Sequence, residues 1–213
     1  YNSGKGKLNS DGKRMPTFLD NMVFFFDYQV NYMYWRYFMW NFAGRQNDIQ
    51  GINPGDPVRG NWESGIGFID KIRLGDQTKA PDMLKNNKAK NHYYMLPLLL
   101  GIAGLVYQTA RDKRNAWITF LLFFMTGLAI VVYLNQPPYQ PRERDYAYAG
   151  SFYAFSIWVG LGVMSLAHLL RKIMKPAVAS SLAAVLCLIV PFQMLAQNWD
   201  DHNRSGRYTA RDF

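Results

Sequence analysis

Apolar residues fall into two regimes along this chain. Before Tyr93 they are broken up every few positions; after it they run together. Four apolar segments follow, Tyr94 to Tyr107, Trp117 to Leu134, Phe152 to Leu170 and Ala177 to Ala196. The last three hold 18 to 20 residues without a single Asp, Glu, Lys or Arg, the pattern of helices that cross a bilayer. The first is shorter, but Tyr93 and Gln108 extend it toward the interface. Gly101 and Gly104, Gly160 and Gly162, and the Ala/Ser run 177–184 let neighbouring helices approach closely. The pattern predicts an all-α, polytopic α-helical membrane protein with about four transmembrane helices across 93–196.

The polar half divides differently. Residues 1–16 (YNSGKGKLNSDGKRMP) carry almost no apolar side chains and read as a flexible leading segment. Residues 17–43 contain no proline or glycine; Thr17 is placed to cap a helix and Gly44 to end it. About 26 residues at 1.5 Å each reach roughly 39 Å, enough to cross a bilayer. Yet Asp20, Asp27, Gln29, Asn31, Arg36 and Asn41 are spread through it. At 100° per residue, Asp27 and Asn31 share one face and Gln29 and Arg36 another, so not all can avoid lipid. The density of Tyr, Trp and Phe suits the headgroup zone. An aromatic interfacial or protein-buried helix is predicted, with a spanning helix as the alternative. Residues 44–92 are rich in Gly, Pro, Asn and Asp and read as a long irregular external loop, in which Trp62, Ile66, Phe68 and Ile69 are candidate membrane anchors. Residues 197–213 form a polar external tail.

Composition changes this picture little. The chain has 213 residues, a net charge of +9 and 16% aromatic residues; its mean hydropathy of -0.18 conceals the division at Tyr93. The basic residues are scattered and flank apolar spans, which fits a membrane surface and not nucleic acid. Cys187 stands alone, and His92, His168 and His202 are far apart, so neither a disulfide, a metal site nor a cofactor is expected. The turns around Arg111–Arg114 and Arg171–Lys175 each carry three basic residues, which places them in the cytoplasm and the Arg142 loop outside. Lys85, Lys88 and Lys90 pull the other way. The chain opens at Tyr1 without a signal-like leader and stops at Phe213, as expected of a piece of a longer protein.

The chemistry concentrates between the second and third long spans. In YLNQPPYQPRERDYAYAGS (133–151), Arg142, Glu143, Arg144 and Asp145 are consecutive, with Tyr139, Tyr146 and Tyr148 around them. A second cluster, Asp200 to Arg207, lies two spans later and so emerges on the same side. Arginine forks match phosphate oxygens in two-point contact, adjacent acids lock them or act as bases, and the rings, Trp199 included, offer surfaces to a sugar or headgroup. The plain alternative is that Arg142/Glu143 and Arg144/Asp145 are ion pairs stapling the loop. There is no nucleotide-binding glycine loop, catalytic triad or metal-ligand spacing.

Three runs carry a resemblance: FFFDYQVNYMYWRYFMWNFAGRQNDIQG (24–51), YLNQPPYQPRERDYAYAGSFYAFSIWVGLGV (133–163) and NWDDHNRSGRYTARDF (198–213). They closely resemble the large bacterial membrane proteins of domain-of-unknown-function family 2723, which are similar to GT-C glycosyltransferases and protein O-mannosyltransferases. The resemblance implies a bacterial inner-membrane enzyme that takes a sugar from a polyprenyl-phosphate carrier and transfers it to a protein or glycan acceptor on the periplasmic side. Such proteins carry a catalytic acid in an early external loop, which this stretch, the middle-to-late part of the membrane domain, does not match. By position in the motifs, the lipid-phosphate and substrate contacts expected are Arg142, Arg144, Asp145 and Tyr139, then Arg204 and Arg207, then Asp27 and Arg36; the catalytic residue stays unassigned. Two other classes are a membrane scaffold of an envelope export or surface-glycan complex, whose Arg142 loop docks a partner, and a lipid-glycan flippase subunit. The flippase needs inward polar residues within the spans, and these are scarce.

Overall fold

The computed structural model describes residues 2–51, 54–138 and 144–206. The fold is all-α, with one two-stranded ladder. Three helical stretches are long and apolar enough to cross a membrane, Lys113–Leu134, Asp145–Leu170 and Pro176–His202, and the protein is membrane-embedded. The first stretch is two helices, α6 (Lys113–Met125) and α7 (Leu128–Leu134), broken at Thr126 and Gly127. The second is a 3₁₀ turn, Asp145–Tyr148, leading into α8 (Ala149–Leu170); the third is α9 (Pro176–His202).

The first apolar segment forms α5 (Leu96–Arg111), shorter than the other three. It packs along α8 at glycine contacts: a Cβ on Gly104 would collide with the Trp158 carbonyl, and one on Gly162 with Leu100. Trp158, 2% exposed, donates its indole N–H to Gln108 Oε1 at 2.7 Å. That bond satisfies a polar atom which a bilayer interior would leave unpaired.

Chain direction fixes which ends lie together. The starts of α5 and α8 and the ends of α7 and α9 share one side; the Arg111–Lys113 and Arg171–Lys175 turns share the other. The chain enters α5 from the first side. The aromatic stretch before it is one continuous helical run, α1 (Phe18–Val23), a π-helical segment (Phe24–Trp35) and α2 (Arg36–Phe42). Thr17 and Asp20 form the capping box that starts it, each side chain receiving the other's backbone N–H. The Thr17 backbone and hydroxyl, with Ser3, hold the Asp20 carboxyl down to about 2. The run ends at Gly44, whose φ of +134° and contacts with the Glu63 and Asn91 carbonyls leave no room for a Cβ.

The second half of this run is protein-buried. Phe38 and Phe42 pack on Phe155 at 4.8 and 4.5 Å between ring centroids, and Tyr34 donates to Ser151 Oγ at 3.2 Å. The first half turns Phe18, Leu19, Val23 and Phe26 outward. The faces expected from 100° per residue do not survive, because i→i+5 bonding winds fewer degrees per residue. Gln29 therefore reaches Asn135 Oδ1 (2.9 Å) and the Gln136 carbonyl (3.1 Å), while Arg36 reaches the Gly60 carbonyl (2.9 Å).

Residues 44–92 are more ordered than their turn-rich composition predicts. Strands β1 (Gly44–Arg45) and β2 (Asn91–His92) pair antiparallel, Gly44 opposite His92 and Arg45 opposite Asn91. The chain at Asn61–Glu63 adds a third edge through Gln46 N–H to Asn61 O (2.9 Å) and Glu63 N–H to Gly44 O (3.0 Å). Short helices α3 (Gly67–Leu74) and α4 (Asp82–Lys85) and a 3₁₀ turn, Gln77–Lys79, occupy the rest. Fully buried Asn47 ties the platform together: its amide donates to Val58 O and its oxygen accepts from the Ile49 and Gly60 N–H groups. Such side-chain amides stand in for ladder bonds that an irregular backbone cannot make.

Candidate functional site

The platform and the end of α9 enclose a cavity of about 710 Å³, within the range of small-molecule sites. Leu195, Asn198, Trp199 and His202 line one wall. Their spacing puts them on one face of α9. Tyr37, Trp40 and Asn41 from α2, Arg45, Asn91 and Tyr93 from the platform, and Asp145 and Phe152 at the start of α8 complete it, with Asn203 and Arg204 at the rim.

Arg45 is the charged centre. Its Nε–H donates to the Ala89 carbonyl at 2.8 Å and its Nη2 pairs with Asp201 Oδ2 at 3.0 Å, while its guanidinium lies 5.5 Å from the Trp40 ring centroid. The pair joins residues 156 positions apart and locks the platform to α9. Asparagines continue the seam. Asn91 Oδ1 accepts the Arg45 N–H at 2.9 Å, its Nδ2 donates to Asn198 Oδ1 at 3.0 Å, and Asn198 Nδ2 donates to the Tyr93 hydroxyl at 2.6 Å. Burial pushes the Tyr93 phenol up against the opposing pull of Asn198 and Arg45, so it stays neutral at physiological pH.

Behind this wall a carboxylate is held between two basic groups. Glu63 is 5% exposed, with Lys90 Nζ 3.2 Å from Oε2 in an ion pair and the His92 ring Nε2 3.3 Å from Oε1. Burial alone would raise the carboxyl; the facing His92 and Lys90 outweigh it and hold it below its ordinary value. On the far side of α9, Lys85, Lys88, Lys90 and His92 line a second, more polar depression of about 730 Å³ that shares Asn203 with the first.

The predicted residues distribute unevenly. Asp145 and Arg204 both line the cavity. Arg144 is exposed at the head of the 3₁₀ turn, and it makes no ion pair with Asp145. Arg36 is 4% exposed, 3.9 Å from the Tyr32 ring centroid and bonded to the Tyr32 and Gly60 carbonyls; it serves packing. Asp27 is half-buried in the π-helical segment, away from the cavity lining. Tyr139, Arg142 and Arg207 lie outside the described residues, as does Glu143 of the proposed staple.

Arg45, Trp40, Asn91, Tyr93 and Asn198 went unmarked by sequence reasoning. One signal was available for Asn198: continuing the apolar period of α9 past Ala196 puts Asn198, Trp199 and His202 in register with Leu195. Arg45 and Asn91 give no local signal, because only strand pairing brings them together. Among the described residues, no three His, Cys, Asp or Glu side chains gather closely enough to hold a metal ion. Set against protein families, characterised proteins and solved structures, the chain finds no match in any of the three comparisons.

Proposed function

We propose that this chain is part of a GT-C-like glycosyltransferase of the bacterial inner membrane, its cavity taking the phosphate and first sugar of a polyprenyl-phosphate donor on the periplasmic side. The observation that carries the reading is one cavity combining Arg45, Arg204 and Asp145 with the rings of Trp40, Tyr93 and Trp199 at the ends of two membrane-crossing helices. Arginine suits an anion that leaves with charge, the rings suit a sugar face, and Leu195 and Phe152 suit the first isoprene units. The three motif runs support the same reading, and two of them, 24–51 and 198–213, supply Arg45 and Arg204.

In this reading an acceptor hydroxyl oxygen bonds to the anomeric carbon as the carbon–oxygen bond to phosphate breaks. Polyprenyl phosphate departs with the bonding electrons, and the hydroxyl proton passes to a base that lies outside the residues assigned here. Arg45 and Arg204 stabilise the departing phosphate. Asp145 orients the sugar hydroxyls, and Asp201 holds Arg45 in place.

The test is sugar transfer by the full-length protein in proteoliposomes given a polyprenyl-phosphate sugar. Arg45→Ala and Arg204→Ala should each lower turnover at least about tenfold, the loss of one charge-assisted contact. Arg36→Lys, which keeps a packed cation outside the cavity, should retain it. Full turnover in both alanine variants would remove the phosphate-contact role. A protein that transfers nothing but holds a partner through this face would instead be a scaffold.

A further inference from the structure

Helix α3 is built inside out for a helix in water. Its one acid, Asp70, is 5% exposed and its Leu74 7%, while Phe68 is 76% and Ile72 70% exposed. Phe68 and Ile72 are four positions apart and so share the outward face, with Lys71 beside them. Asp70 faces inward because it caps the preceding turn. Its Oδ1 accepts the Ser64 N–H (2.9 Å) and hydroxyl (3.0 Å), and its Oδ2 accepts the Gly65 N–H (2.8 Å). Arg73 is likewise held, its guanidinium 3.3 Å from the Trp62 ring centroid and bonded to the Trp62 carbonyl at 2.9 Å. The outward pair is therefore fixed by four hydrogen bonds and a stacked cation, not by a loose loop.

The helix is also anchored beside lipid. Tyr94 N–H donates to the Ser64 carbonyl at 2.9 Å, and the Tyr94 ring lies against Gly65. Tyr94 leads directly into α5, whose outer stripe of Leu96, Leu99, Ile102 and Val106 is exposed along its length. Because α5 packs along the membrane-crossing α8 on its other side, that stripe faces acyl chains. The bond from Tyr94 to Ser64 holds the start of α3 at the level where α5 begins.

We propose that α3 lies in the plane of the membrane surface, Phe68 and Ile72 inserted at the boundary of headgroups and acyl chains and Lys71 among the headgroup phosphates. Of the anchors the sequence suggests, Phe68 is exposed, Ile66 and Ile69 are half-buried, and Trp62 is engaged by Arg73; Ile72 joins them. The inference does not depend on the glycosyltransferase reading, since any membrane protein with this platform would need the same anchor.

The test places an environment-sensitive fluorophore on Phe68→Cys or, separately, Ile72→Cys, in a Cys187→Ala background. The protein is reconstituted in phosphatidylcholine vesicles containing lipids brominated near the top of the acyl chains. Both labels should lose fluorescence to the brominated lipid as a label on Leu99→Cys does, and should resist aqueous iodide. A label on Lys88→Cys should show the reverse. Quenching of both α3 labels by iodide alone would place the helix in water, and protection from both quenchers would place it against protein; either result overturns the proposal.

Discussion

The two ends of the bundle are built to different standards. On one side, helices are joined by turns of a few residues, Arg111–Lys113 and Arg171–Lys175. Asp112 caps α6 through the Asn115 N–H at 3.1 Å, and exposed Arg111 reaches the half-buried His168 at 3.2 Å. On the other side, some fifty residues of irregular chain are held by buried amides, a strand pair, Glu63 between Lys90 and His92, and the Arg45–Asp201 pair. Ordering an irregular backbone costs about 1–2 kcal/mol per residue, and short turns would have connected the helices more cheaply. The difference teaches that the costly order is concentrated at the end that holds the cavity, where the site is proposed.

The comparison breaks most completely if the shared scaffold goes. Gly104→Leu drives a side chain into the Trp158 carbonyl and should cost about 3 kcal/mol or prevent folding, seen as lost thermal stability in detergent and release of both ends together. Asn47→Ala acts on the elaborate end alone. It strands the Gly60 and Ile49 N–H groups and should cost about 2 kcal/mol, with hydrogen exchange rising across 44–92 while α6 and the end of α8 stay protected.

A subtler handle is pH. The folded Glu63 carboxyl lies below its ordinary value of 4.5, so its pairing contributes stability that is fully present above that value. The contribution is lost as pH falls from there through the lower folded value. Thermal stability followed from neutral pH into acid should drop in that window, and Glu63→Gln should flatten that part of the drop while lowering stability at neutral pH. The smallest effect belongs to the plain end. Arg171→Ala removes a bond to the Ser180 hydroxyl that is exposed at 2.8 Å, and melting should shift by no more than about 0.5 kcal/mol equivalent.

Legibility in the sequence divides along the same line. The charge-free runs of α8 and α9, the Thr17 cap and the Gly44 stop could be read directly, because each depends on neighbours within a turn or on plain hydrophobicity. Side also followed from counting spans: Asp145 and Arg204 were expected on one face and line one cavity. The π-helical winding could not be read, since nothing in FFFDYQVNYMYW departs from an α pattern, and the faces drawn for Gln29 and Arg36 failed with it. The first apolar segment, shorter than the others in the sequence, forms the shorter helix α5 of 16 residues. Arg45 was hidden for a different reason. Its partners, Ala89, Asn91 and Asp201, are 44, 46 and 156 positions away, and such a site exists only once the chain has folded.

The most direct measurement is the binding of a short-chain polyprenyl phosphate to the full-length protein in lipid nanodiscs, compared across three single variants. Arg45→Ala and Arg204→Ala should each weaken binding about tenfold or more, and Arg111→Ala, at the plain end, should leave it unchanged. Equal binding by all three, or a loss confined to Arg111→Ala, would contradict the assignment of the cavity as the lipid-phosphate site.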